Sequence, residues 1–220
     1  MAMVMAADGG GGNYNNPAET RKAIGGLIAK AGEIERNFKK VDTDVVKGLR
    51  EGWKGDDLTE FVNGALKEAI ETAGKTINGA LESIINTLNT GADNYGKAFN
   101  KPWTKILFTP TIVSVAQIAK DASEAVGIVN EQAVKNAEEA LEFITDQTKT
   151  FLDDCKRILN RSGFYGKDEQ STLDSSVGAI NKSLDGIMDT IQKETGIKTD
   201  RTIEKARKVA GQNVQNYTVK

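Results

Sequence analysis

The chain has 220 residues, of which 39% are hydrophobic and only 6% aromatic, with 29 Lys and Arg against 31 Asp and Glu, three prolines and no histidine. With one cysteine, Cys155, and no imidazole, the sequence excludes His-based acid/base work, Cys/His nucleophilic pairs and zinc sites of the usual Cys/His spacing. Charges of both signs are interspersed, so the overall balance points to no nucleic-acid partner and does not favour membrane contact, while few aromatics and prolines fit long helices better than a sandwich or barrel.

Residues 1–16 read as a flexible arm. Met1 to Ala7 is apolar but lacks a preceding positive charge and is too short for a secretory or membrane-spanning segment. Gly9 to Gly12 and the asparagines after them favour coil, without the lysine or strand-helix context of a phosphate loop. Such an arm orders only against a neighbour.

Asn16-Pro17 is a helix start, with asparagine able to cap and proline suited to the first turn. Ile24, Leu27, Ile28, Ala31, Ile34, Phe38, Val41, Val45 and Leu49 then recur at three- and four-residue steps, which predicts one helix of about 34 residues, roughly 50 Å long. Gly52-Trp53-Lys54-Gly55-Asp56-Asp57 interrupts it, the two aspartates reading as capping or solvated surface. A second stripe through Leu58, Phe61, Val62, Leu66, Ile70, Ile77, Leu81, Ile84, Ile85, Leu88, Ala92 and Tyr95 predicts a second helix reaching about residue 98, folded back antiparallel because the loop is short. Glycines within these helices, at 25, 26, 32, 48, 64, 74 and 79, predict close helix approach or lateral assembly.

Leu49-x-x-x-Trp53-x-Gly55-x-x-x-x-x-Phe61, followed by Leu81, Leu88 and Tyr95, resembles the WXG-motif, ESAT-like helical-hairpin proteins exported by type VII secretion systems, over residues 17–98. The resemblance implies a hairpin with a packing motif of Trp53, Gly55, Phe61 and Tyr95, action through protein partners, and secretion without a cleavable signal peptide. Family members run near half this length and carry an acidic residue four positions after the hairpin's tyrosine, where this chain has Phe99.

Residues 100–112 hold two of the three prolines, Pro102 and Pro110, and read as a linker between a hairpin over 17–99 and a second helical region over 113–220. The linker is apolar at Trp103, Ile106, Leu107 and Phe108, a candidate interface or hairpin junction. Helical spacing from Ile112 to Leu159, with Cys155 as a small buried hydrophobe, predicts a third helix of about 50 residues. Asn160 to Gly166 is a candidate second corner at Phe164, Tyr165 and Gly166, an echo of the Trp53 corner that points to a tandem arrangement. The last pattern runs from Leu173 to Ile191, breaks at Gly196 and resumes from Asp200 through Ala210.

These patterns predict an all-α protein of two long antiparallel hairpins in an elongated bundle, with no catalytic, cofactor or metal site. The expected function is non-enzymatic: helix–helix association with itself or with a helical partner. Two alternatives are a subunit of a virion, tail or filament, and a lipid-interacting or pore-forming bundle using residues 103–119. Without the secretory resemblance the expected location is the cytoplasm or an assembled particle.

Overall fold

A computed structural model describes residues 16–110, 115–118, 129–162 and 166–199. Its elements are α1 (Pro17–Phe38), α2 (Val41–Arg50), α3 (Asp56–Phe61), a single wide π-helical turn (Val62–Leu66), α4 (Lys67–Ala98), α5 (Glu131–Ser162) and α6 (Lys167–Thr195), and no strand occurs among the described residues. The expected arm at 1–16 lies outside the described residues except for Asn16.

The start of α1 follows its sequence signal: the Asn16 side chain accepts from the Ala18 N–H at 3.0 Å, with Pro17 in the first turn. The expected single helix through residue 49 is instead two. At the break the Lys40 N–H reaches Asn37 O, three residues back, in place of the four-residue bond, so the turn tightens. Phe38 and Val41 stay buried on either side, so the apolar stripe passes through the break uninterrupted. Neither glycine nor proline marks this position. The second helix ends at Ala98, close to its expected limit, but carries the wide turn at Val62–Leu66.

A larger correction concerns the third helix. Val115 to Ile118 and Val129 to Asn130 are not helical, and α5 begins only at Glu131. Part of the reason is Asn63, whose side-chain amide accepts from Ile118 N–H at 2.9 Å and donates to Ile118 O at 3.0 Å, supplying the partners a helix would have given that residue. Val115 is buried in the core all the same, so its apolar periodicity reported burial without helix. Gly196 does end α6: at φ +70° its N–H returns to Gln192 O at 2.9 Å. Residues 200–210 lie outside the described residues.

Helix α1 packs against α4 and α5, and α6 packs against the same two, closing a four-helix ring. Asn136–Glu51, Gln147–Asn37 and Asp154–Lys30 contacts run α5 antiparallel to α1 and α2. Lys156–Asp174, Thr148–Asn181 and Glu138–Thr199 run α6 antiparallel to α5. The helices therefore share one core, which includes Ile34, Leu66, Ile84, Ile144, Phe151, Cys155, Ile180 and Ile187. Residues 99–130 join the upper end of α4 to the lower end of α5, a long crossover of a kind known in bundles.

Most of the in-helix glycines do not mark close approach. A Cβ added at Gly25, Gly26, Gly64 or Gly79 meets open space, and at Gly32 only its own helix's Arg36. Among the glycines singled out in the sequence, Gly48 sits at a helix crossing, where an added Cβ would lie 3.0 Å from Asn136 Cβ and 3.1 Å from Ala137 N; Gly91 of α4, not among them, also approaches α5, with an added Cβ 3.3 Å from Leu159 Cδ2.

Candidate interaction site

The Trp53 corner is a packing device. Trp53 is buried and stacks on Phe61 with ring centroids 5.3 Å apart and planes 29° apart. Gly55, at φ +95° and ψ −173°, takes a backbone conformation that a side chain would strain, and from it α3 begins. The lower end of the crossover docks here too, through Asn130 N–H to Gly52 O at 3.0 Å, and a Cβ at residue 52 would overlap the Asn130 side-chain amide. Trp53, Gly55 and Phe61 thus come together. Tyr95 does not join them: it is buried at the far end of α4, with its ring 4.9 Å from that of Phe99. Of the second corner, Phe164 and Tyr165 lie outside the described residues, and Gly166 is extended, its N–H donating to the Glu169 carboxylate at 2.9 Å at the start of α6.

The apolar linker splits into two faces. Trp103 and Phe108 pack half-buried on the core, while Ile106 and Leu107 turn outward, Leu107 with 84% of its surface exposed. What seats this strap is Asn89, a buried residue of α4. Its amide donates to Ile106 O at 2.8 Å, and its oxygen accepts from Ile106 N–H and from Trp103 Nε1–H, each at 2.9 Å. The Arg21 guanidinium lies 5.5 Å from the Trp103 ring centroid, a cation–π contact that ties the strap to α1. Asn63, at the wide turn, repeats the bidentate grip on Ile118. Ile106 and Ile118 are therefore each gripped at both backbone groups by an asparagine that acts as substitute backbone. Asn89 was legible in principle: an amide flanked by Leu88 and Ala92 on a buried stripe must find partners.

A groove of about 390 Å³ lies between α1 and α5. Its lining includes Ile34 and Phe151, both buried, and Lys30, Glu33 and Asp146; Phe143 flanks it with 62% of its surface exposed. Nearby, Asp154 is held below the usual carboxylate range, first by its bond from Arg157 and then by that from Lys30. Cys155 is fully buried, and burial, helped by the Asp154 charge, pushes its thiol far above the ordinary value, so it packs as a protonated hydrophobe. Among the described residues no three Cys, Asp or Glu side chains are grouped to hold a metal ion, and no helix is long and apolar enough to cross a membrane.

Compared with protein-family models, curated proteins and solved structures, the chain matches none.

Proposed function

We propose that this chain is a helical interaction protein that works by docking helix on helix, first of all with a second copy of itself, in the manner implied by its resemblance to WXG-motif hairpins. The observation that supports this reading most is Phe143, a large aromatic left exposed beside a groove floored by apolar side chains from two antiparallel helices. Exposed aromatics of this kind are the common anchors of protein interfaces. The rim carries Lys30, Glu33 and Asp146, which pair within the chain with Asp154, Arg36 and Lys149, so the aromatic stands inside a polar, solvated rim of the kind that surrounds interface cores.

Sedimentation equilibrium of the full chain tests it. The expected result is a concentration-dependent dimer whose dissociation constant rises at least tenfold in Phe143→Ser, as for the loss of an interface anchor of about 1.4 kcal/mol or more. A wild-type chain that stays monomeric up to about millimolar concentration, well above the range of specific dimers, would refute self-docking.

A further inference from the structure

We propose that the upper part of the crossover strap is a docking edge for an anionic lipid surface. Four large hydrophobic side chains are exposed among the described residues, and three of them, Phe99, Ile106 and Leu107, belong to the strap and its junction with α4. Between Asp93 and Asp121 the sequence has no carboxylate and four lysines, Lys97, Lys101, Lys105 and Lys120, within a chain of net charge −2. The balanced total conceals this acid-free window. Lys97 pairs with Asp93 at 2.7 Å, whereas Lys101 and Lys105 are exposed on the strap itself, beside Ile106 and Leu107.

Rigidity makes this a presented edge. Asn89 fixes Ile106 through both of its backbone groups, Trp103 is locked by the same amide, and Lys101 N–H bonds Gly96 O at 2.8 Å across Asn100, which sits at φ +53°. The backbone leading into Leu107 is therefore held in place while its side chain faces outward.

The form of the patch separates lipid from protein as the occupant. Three side chains offer only a few hundred Å² of apolar area, far below the roughly 800 Å² per partner of a stable protein interface. They are also unequal in exposure, with Leu107 standing furthest out and Phe99 leaning on the Tyr95 ring. A fluid headgroup region accepts protruding apolar side chains without a matching shape, while lysines beside them gain from anionic lipid. The contact is peripheral, and its strength comes from the two kinds of residue together.

The test is co-sedimentation of the full chain with vesicles of phosphatidylcholine alone or with about one-third phosphatidylserine, at protein concentrations below any self-association. Expected is binding to the mixed vesicles only, reversed by high salt, weakened about fivefold for each of Lys101→Gln and Lys105→Gln and at least tenfold by Leu107→Ser. These positions are exposed, and unchanged thermal melts would show that folding is intact. Phe143→Ser should leave vesicle binding within about twofold of wild type, so failure of the dimer reading leaves this result readable. No binding to anionic vesicles, or equal binding by Leu107→Ser, would overturn the proposal. So would a Leu107→Ser chain that loses self-association while neither form binds vesicles, which would make the patch a protein interface.

Discussion

Trp53 and Trp103 hold two connections of the same bundle in different ways. Trp53 closes a short corner from inside: it is buried, stacks on a ring eight residues away and relies on Gly55 for the turn. Trp103 is only half-buried and holds a long crossover through its indole N–H, donated to Asn89 of α4. Burial of a large apolar surface stabilises the first connection, and satisfaction of a buried amide stabilises the second. The corner should therefore respond to loss of volume and the strap to loss of a single polar group.

The sharpest way to break that contrast is Trp53→Ala, which removes the largest side chain at the base of the first hairpin. A loss of about 3–5 kcal/mol is expected in urea unfolding, as for other fully buried aromatics. A melt unchanged by the substitution would show that the corner is held by its backbone alone.

Asn89→Ala comes next, at about 2 kcal/mol, because it leaves Ile106 N–H and O and Trp103 Nε1–H without their partner. Its signature is local. Hydrogen exchange should accelerate at Ile106 far more than in the middle of α4, whereas Trp53→Ala should raise exchange throughout the core. Uniform acceleration in Asn89→Ala would mean that strap and bundle open as one unit.

That division also explains what the sequence revealed. Three- and four-residue spacing located the stripes of α1, α4 and α6 because burial on one helix face is a local pattern. The corner was legible for the same reason: Trp53, Gly55 and Phe61 are neighbours in sequence. The strap was not, since Val115 and Ile118 carry helical spacing while their backbone is not helical, in part because Asn63, 55 residues before Ile118, takes the bonds of its backbone groups. The break at Lys39-Lys40 left no signal, because its tightened turn needs no special residue. Phe143 occupies an ordinary position between Leu141 and Ile144, and only the placement of α1 beside α5 shows that it flanks a groove.

Gly55→Ala and Gly48→Ala divide local strain from contact at a distance. The first forces a side chain into a left-handed backbone conformation and should cost about 1–2 kcal/mol. The second crowds Asn136 and Ala137 across the α2–α5 crossing and should cost about 1 kcal/mol or somewhat more. Pairing Gly48→Ala with Asn136→Ala is the diagnostic measurement by denaturant melt. The second substitution keeps the Cβ atom and the backbone that the new methyl meets, so the two effects should add; a double variant restored to wild-type stability would show that the Asn136 amide, and not the backbone approach, sets the limit.

The smallest expected effect compares a local and a distant partner on one carboxylate. Asp154 accepts from Arg157, one helical turn along α5, at 2.8 Å and from Lys30 on α1 at 2.6 Å. Both hold its folded-state pKa below the unfolded value of 3.8. Its contribution is therefore fully present above that unfolded value and is lost as pH falls through the folded one. Lys30 is half exposed, so solvent screens the pair and the contribution stays below about 1 kcal/mol. Asp154→Asn should accordingly flatten a small part of the acid limb of a stability–pH curve, below about pH 4, and leave the neutral region displaced by no more than that amount. Lys30→Ala and Arg157→Ala then split the term: the first severs the only one of the two bonds that links α5 to α1, so it should lower stability more than its partner even though Arg157 does more to depress the Asp154 pKa. If Arg157→Ala proved the more destabilising of the two, the ion pair would serve the α5 helix itself and have no share in joining the hairpins.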